Sequence, residues 1–381
     1  MVHRRGVFLV VKAAIAVGFA LAASSVGAQG LKQAIESCSN NGLRFSPEQV
    51  IVGCGAVIAG SKNPAQRAGA YGNRGNAFVA QANYDRALAD YNEAVRLGPK
   101  LPNPYIGRGV VYLNKGDHAR ALADFDEAIR LAPKSVEAHQ YRGLVHRAKQ
   151  DYPRAVADFS EAIRLDSNSL QAFVNRGNLH RQSGDYDRAI ADYSEALRIA
   201  PENAGVIVSR AFALHSKDDR DRAVAELDAL LRRDPKNATG YRGRGVLQFA
   251  RGDFKSAAED FLKSNDLRDD AYSMLWRFLA RARQNQDGGA ELSASAARLK
   301  NKDWPYAVID FYLGRRSTEE MRSSASTPDQ RCEAHYYTGQ WRLLRNDKAG
   351  ALVDLQAAID MCPKNFDEYM GAMAEKKRLS P

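Results

Sequence analysis

The chain has 381 residues, of which 26% are charged and 45% hydrophobic, and its formal net charge at pH 7 is +10. This is the composition of an ordinary folded protein, but the length exceeds that of a usual single globular domain. The positive charge favours acidic partners or surfaces and does not by itself imply nucleic acid.

The first 28 residues have the pattern of a cleavable export signal. Arg4, Arg5 and Lys12 precede an apolar run at residues 13–23, and small residues follow up to Ala28. The run is shorter than the roughly 20 residues of a spanning helix. We expect cleavage after Ala28 and a periplasmic protein with no membrane span. An uncleaved membrane anchor and a mitochondrial presequence are the alternatives.

Between residues 68 and 270 the sequence repeats itself every 34 residues, which indicates six stacked supersecondary units. A small residue, an alanine and a proline recur at fixed places in the period. The small residues are Gly75, Gly109, Gly143, Gly177, Ala211 and Gly245; the alanines are Ala87, Ala121, Ala155, Ala189, Ala223 and Ala257; the prolines are Pro99, Pro133, Pro201 and Pro235, with Ser167 in one unit.

Each unit is predicted to be a pair of antiparallel helices, A and B. In the unit chosen as an example, helix A covers residues 170–183, and helix B extends to about Ile199 before Pro201 ends it. Helix B begins at a periodic Asp or Asn, the residues that best cap a helix N-terminus. The predicted fold class is therefore all-α, an α-solenoid of antiparallel helix pairs.

The segments outside the six units are also predicted to be helical. We expect a helical hairpin at 29–67, a non-repeat helical segment at 271–331, and a further unit with a capping helix at 332–381. In the last of these, Gly339, Ala351, Ala358 and Pro363 reproduce the periodic pattern, and Asp347 takes the capping place.

The four cysteines form two local pairs. Cys38 and Cys54 are equidistant from a predicted turn at residue 46, and Cys332 and Cys362 are equidistant from one at Asp347. Two such pairs favour two disulfides in an oxidising compartment. Four buried free thiols are the alternative, and no histidine lies at metal-ligand spacing from either pair.

A periodic series of arginines has two interpretations. It consists of Arg74, Arg108, Arg142, Arg176, Arg210 and Arg244, and an acidic series consists of Asp90, Asp124, Asp158, Asp192, Glu226 and Asp260. Members of the two series lie at equal distances from the turn between helices, so they can pair across each hairpin. We favour this salt-bridge ladder over a cationic rail for an acidic ligand. Thr338 stands where the last unit would have its arginine.

The order Tyr or Phe, Gly, aromatic, Ala, aromatic, Ala and terminal Pro resembles the tetratricopeptide repeat over residues 68–270. The resemblance implies a superhelix with a helical cap whose A helices line a partner-binding groove. It places these residues in the groove: Asn76, Asn103, Gln140, Arg147, Asn178, Arg181, Phe212, Arg242 and Phe249. The Lys/Asn/Arg clamp with which some members hold a terminal carboxylate is not reproduced, because Gly72 and Ile106 stand at its positions. A solvated groove with no fixed ligand is the alternative.

A second resemblance concerns the C-terminal part. Trp304-Pro305 and the segments 310–314 and 335–339 are similar to the C-terminal part of NlpI-type bacterial tetratricopeptide lipoproteins. This resemblance implies partners among cell-wall hydrolases and envelope proteases. The chain departs from that family because no cysteine for lipidation lies near the expected cleavage point.

The sequence contains no recognisable catalytic constellation, so we expect a protein that is not an enzyme and has no cofactor, metal or nucleic-acid partner. His146 and His180 occupy equivalent places and are interpreted as core residues. The expected function is an exported scaffold or adaptor of the bacterial envelope that binds peptides or proteins. An exported hydrolase, or an accessory subunit of one, is the alternative; partner identity and oligomeric state are left open.

Overall fold

The computed structural model describes residues 28–39 and 44–379. The predicted export signal lies outside these residues except for Ala28. All regular secondary structure in the described part is helical, as predicted. The chain divides into two compact units, Met1–Asp117 and His118–Pro381, which are described separately.

The first unit contains five helices in its described part. They are α1 (Ala28–Ser39), α2 (Pro47–Gly60), α3 (Pro64–Ala80), α4 (Tyr84–Leu97) and α5 (Pro102–Asn114). Helix α2 begins at Ser46, whose side chain accepts from the backbone of Gln49 in a reciprocal capping box. A disulfide joins Cys38 to Cys54 across α1 and α2, with a Cα–Cα distance of 4.5 Å.

The second unit continues the repeats with nine helices. They are α6 (His118–Leu131), α7 (Val136–Ala148), α8 (Tyr152–Leu165), α9 (Leu170–Ser183), α10 (Tyr186–Ile199), α11 (Ala204–Ser216), α12 (Arg220–Arg233), α13 (Ala238–Arg251) and α14 (Phe254–Leu267). Helices α9 and α10 have the bounds expected from the sequence. In this unit α7, α9, α11 and α13 are A helices, and each packs on the B helix that follows it.

Seven further helices follow in the described part of the second unit. They are α15 (Ala271–Ala282), α16 (Gly289–Ala296), α17 (Tyr306–Tyr312), α18 (Thr318–Ser323), α19 (Pro328–Leu344), α20 (Lys348–Met361) and α21 (Asp367–Leu379). The expected segment boundaries at residues 67 and 331 fall inside α3 and α19. A disulfide between Cys332 and Cys362 links α19 to the end of α20, with a Cα–Cα distance of 5.1 Å.

The turn between helices A and B has one recurring geometry. The residue before the helix B cap has a positive φ, and the cap's N–H donates to a carbonyl five residues earlier, as from Asp151 to His146. This is the left-handed, doubly bonded end that commonly terminates helices. The positive-φ residues in these turns are Ala82, Gly116, Gln150, Gly184, Asp218, Gly252 and Asn346.

The periodic glycines permit close contact with an aromatic ring on helix B. A Cβ built on Gly177 would lie 2.9 Å from Cε1 of Tyr193, too close for a real contact. Where the series has Ala211 instead, the residue at the ring's position is the smaller Leu227. At the Ala211 crossing the smaller side chain leaves room for a methyl group.

The C-terminal helices share a hydrophobic core with the repeats of the second unit. Trp276 on α15 is fully buried and contacts Phe249 edge-on, with ring centroids 4.9 Å apart. Helix α21 packs on α13, α19 and α20. No helix among the described residues is both long and apolar enough to cross a bilayer.

Candidate functional site

The periodic arginines pair with acids across the hairpins, as the ladder interpretation predicts. Five such pairs are Arg74–Asp90, Arg142–Asp158, Arg176–Asp192, Arg210–Glu226 and Arg244–Asp260. The shortest N–O distance is 2.7 Å in the four pairs that involve aspartate and 3.0 Å in the pair that involves glutamate. The arginine series is therefore part of the architecture.

Most of these arginines have a second partner that sequence reasoning missed. Nη1 of Arg142 donates to Asp126 at 2.7 Å, and Nη1 of Arg244 donates to Asp228 at 2.6 Å. The acceptor lies sixteen residues before the arginine, on the preceding helix B. Equivalent bonds join Arg108 to Asn92, Arg176 to Ser160 and Arg210 to Ser194. The ladder thus ties neighbouring repeats together as well as the two helices of one hairpin.

Asp158 shows how the carboxylate of a ladder pair is held by its neighbours. The carboxylate is nearly buried, accepts from Arg142, and lies 3.5 Å from Nδ1 of His139. Burial raises the pKa of Asp158, but the hydrogen bonds from His139 and Arg142 outweigh it and hold that pKa below its usual value. Burial lowers the pKa of His146, which lies 3.9 Å from the same carboxylate. These histidines belong to the core.

The last hairpin pairs its acid with arginines from other positions. Asp354 persists although Thr338 stands at the arginine's place, and Arg322 and Arg342 both pair with it. Its Oδ1 also lies 3.0 Å from Nδ1 of His335. Arg342 is one helical turn beyond Thr338, a spacing that a search for the 34-residue period does not detect.

Several expected groove residues have internal partners. In the first unit, Asn76 accepts from the hydroxyl of Tyr91 at 2.6 Å, and in the second unit Asn178 accepts from Tyr193 at 2.7 Å. Gln140 donates to the hydroxyl of Ser169 at 2.5 Å, whereas Asn103 is exposed. The two asparagines therefore orient a helix B tyrosine.

Two of the expected groove residues must be corrected. Phe249 is 0% exposed and packs between Phe254 and Trp276, so the prediction that it lines a groove is wrong. The aromatic side chain is enclosed because α15 covers this end of α13. Arg242 is not available either, because it pairs with Asp367 of α21 at 2.5 Å.

Arg147, Arg181 and Phe212 remain together on consecutive A helices of the second unit. Nη1 of Arg147 donates to Oδ1 of Asn175 at 3.1 Å, and the guanidinium of Arg181 lies 5.9 Å from the ring centroid of Phe212. We call Arg147, Asn175, Arg181 and Phe212 the arginine site. Within the described part of the chain, neither arginine forms an ion pair.

The arginine site is enclosed and has donors without acceptors. Arg181 is 8% and Asn175 4% exposed, yet Nε of Arg181 and Nδ2 of Asn175 have no hydrogen-bond partner among the described residues. Burial lowers the pKa of Arg147, and the opposing influence comes from Tyr152. Asn175 was missed because the equivalent residues, Tyr141 and Ser209, share no chemistry with it. Buried donors of this kind normally have partners.

His215 occupies the equivalent place in the next A helix but adds no charge at neutral pH. Burial, together with Arg220 and Arg251, lowers its pKa to about 4. The positive charge of the row is therefore confined to Arg147 and Arg181.

Two buried carboxylates in the C-terminal helices were also missed. Glu333 accepts from the hydroxyl of Tyr272 at 2.9 Å and from Nε1 of Trp304 at 2.6 Å. Glu368 accepts from Tyr337 at 2.9 Å. Burial raises the pKa of both glutamates, to about 8 in Glu368. No cluster of His, Cys, Asp and Glu in the described residues is arranged to hold a metal ion.

Stacked hairpins of 34 residues with partly solvated A-helix side chains define an α-solenoid of the kind that works by binding. The chain carries tetratricopeptide repeats, whose family models match residues 73–136, 106–169, 141–204 and 180–245.

A curated relative is a lipoprotein NlpI homolog of Haemophilus influenzae. It is 28% identical over 150 residues, which cover 36% of this chain and 47% of that protein. The chain thus spans about half the length of this relative.

Three solved structures are similar at low sequence identity. A tetratricopeptide repeat protein of Parabacteroides merdae is 22% identical, with a TM-score of 0.49, covering 66% of this chain and 99% of its own. Pseudomonas aeruginosa pilF is 18% identical, with a TM-score of 0.48, covering 56% and 96%. YrrB, described as having an unusual peptide-binding site, is 21% identical, with a TM-score of 0.40, covering 48% and 94%.

Proposed function

We propose that this protein is an exported, non-catalytic scaffold or adaptor of the bacterial envelope that binds proteins or peptides through its repeats. The observation that carries the proposal is the arginine site. Arg147 and Arg181 form no ion pair within the described residues, and Nε of Arg181 has no hydrogen-bond partner there, whereas the ladder arginines pair with internal acids. Repeat arrays bind through extended concave surfaces, and side chains on such a surface that lack internal partners are available to a ligand.

Export is supported by two independent features. The first is the basic and then apolar N-terminal sequence, and the second is the pair of local disulfides, which persist in oxidising compartments. The likeness to a lipoprotein NlpI homolog agrees with an envelope setting. We propose cell-wall hydrolases or proteases as partners, as the resemblance of the C-terminal part to NlpI-type proteins implies.

Affinity capture from an envelope extract tests the adaptor function. The mature protein is immobilised with both disulfides intact, and retained proteins are identified by mass spectrometry at increasing salt. We expect a small, reproducible set of envelope proteins. Failure to retain any protein contradicts the proposal.

Turnover distinguishes the adaptor from an exported hydrolase. The pure protein is incubated with cell-wall material, with and without a chelator. We expect no products from the protein alone, and product formation would contradict a purely scaffolding role.

A further inference from the structure

We propose that the arginine site binds a carboxylate of an acidic peptide segment of the partner protein. This inference rests on the proposed function and specifies what its binding surface recognises. The arginines of the second unit differ in whether they have an acidic partner, and we call this difference the imbalance. Each ladder arginine has an acid on the facing helix: Arg142, Arg176, Arg210 and Arg244. Arg147 and Arg181 have no acidic partner among the described residues.

Burial makes this imbalance informative. Arg181 is 8% exposed, so its guanidinium has given up most of its water without gaining an acidic partner. Its ring contact with Phe212 orients the guanidinium but satisfies none of its hydrogen bonds. A site that is already largely desolvated in the free protein gains more from an incoming anion than an exposed arginine does.

The unsatisfied atoms specify the chemistry of the ligand. Nε of Arg181 and Nδ2 of Asn175 are both N–H donors. The other polar atom of the Asn175 side chain, Oδ1, already accepts from Arg147. The hydroxyl of Tyr193 beside Arg181 is uncharged, so the site still lacks negative charge and an acceptor for these two atoms. A carboxylate supplies both, and it matches the forked geometry of a guanidinium.

Enclosure favours a peptide over a membrane surface or a nucleic acid. Those ligands present many phosphates to exposed cations, whereas this site offers two cations, one of which is nine-tenths buried. A single side chain or chain terminus reaches such a site. The carboxylate belongs either to an Asp or Glu side chain or to the partner's C-terminus, and the two sources can be separated experimentally.

Selection from a random peptide library displayed on phage with free peptide C-termini tests the inference while the partner protein is still unidentified. The full mature protein and its Arg147→Gln, Arg181→Gln double variant are used as separate baits, with Arg154→Gln as the matched control. Arg154 is 74% exposed on α8 and pairs with nearby Asp151. We expect Asp and Glu to be enriched by the wild type and by the control, but not by the double variant.

The affinity of a selected peptide then gives the size of the effect. Replacing its acids by Asn and Gln, or using the double variant, should weaken binding at least about tenfold in fluorescence anisotropy. The Arg154→Gln protein should bind like the wild type. Amidating the C-terminus separates the two sources, because it abolishes binding only if the terminal carboxylate is the ligand.

The absence of any peptide that is enriched by the wild type but not by the double variant, or equal affinities in the wild type and a double variant with an unchanged circular dichroism spectrum, overturns the inference. So does arginine-dependent binding to phosphatidylglycerol vesicles in place of peptides. Capture from the envelope extract keeps the two proposals apart. If the wild type and the double variant retain the same proteins, the adaptor stands and the carboxylate site falls; if neither retains any, the adaptor itself falls.

Discussion

The guanidinium of Arg242 on α13 lies 2.5 Å from the carboxylate of Asp367, the first residue of α21, although the two are 125 positions apart. Burial lowers the pKa of Arg242, but Asp367, Asp270 and Glu368 outweigh it and raise that pKa above its usual range. A residue expected to contact a partner instead joins the repeats to the C-terminal helix.

Removing one member of this pair should loosen α21. Arg242→Met leaves Asp367 and Asp270 without their cation in a largely buried place, and we expect a loss of about 2–4 kcal/mol in the free energy of unfolding. Hydrogen exchange should show the loss in α21. The double variant Arg242→Met, Asp367→Leu should recover part of the stability; a double variant as unstable as the sum of the single changes would argue against direct coupling.

A ladder arginine should matter more than a surface arginine. Arg142→Met deprives Asp158 of its main partner and also breaks the bond to Asp126, so we expect about 2–3 kcal/mol of destabilisation. Arg164→Met, which breaks the exposed pair with Glu161, should have little effect on stability, because solvent screens that pair. Urea unfolding measures both. Equal effects would show that the ladder pairs contribute no more than surface pairs.

The buried acid Glu368 should make stability depend on pH. Its pKa is about 8 in the folded protein against an ordinary 4.5, so the folded state holds the extra proton between these values. Stability should fall as pH rises through this window, by at most about 1.4 kcal/mol per pH unit from this group, and level off above about pH 8. Glu368→Gln should remove this contribution. Thermal midpoints of the two proteins from pH 5 to 9 test it, and a constant difference across that range would refute the assignment.

The left-handed turn residues offer a route to stabilisation. Gln150 has φ of 61°, and Gln150→Gly should stabilise the protein by about 0.5–1 kcal/mol because glycine adopts this conformation without strain. Lys149→Gly is the matched control, since Lys149 has φ of −82°. That change should be neutral or destabilising. Chemical denaturation compares the two, and equal shifts would mean that strain at Gln150 is negligible.

Replacing a periodic glycine should destabilise the protein, because helices A and B are in close contact there. Gly177→Ala places a methyl group against Tyr193 and should cost about 1–3 kcal/mol. Gly69→Ala, where a Cβ meets nothing within 4 Å, should be neutral or slightly stabilising. If both changes act alike in thermal denaturation, helix crossing does not explain the glycine series.

The 34-residue period predicted the elements that depend only on local sequence. The bounds of α9 and α10, the caps of helix B and the Arg–Asp ladder follow from residues within one hairpin. The period misled at Phe249, which is equivalent to Arg147 and Arg181 but is covered by Trp276 from a helix outside the repeats.

Other features lay beyond what a period can show. The Arg242–Asp367 pair depends on how α21 folds back, and no spacing in the sequence encodes that contact. The arginine site was predicted in part, because Arg147 and Arg181 were expected on the A helices. Asn175, which accepts from Arg147 within the site, was recognised only from this hydrogen bond in the structure.

A repeat array normally unfolds piecewise, because each hairpin is connected only to its neighbours. Helix α21 and the residues before it change this within the second unit. Lys364 donates to the carbonyl of Ser183, 181 positions earlier, and Arg378 donates to the carbonyls of Phe249 and Ala250. These contacts connect the end of the chain to α9 and α13 and close a loop that spans the hairpins between them. Melting should therefore be cooperative from α9 to α21, whereas α7 and α8 are free to open on their own.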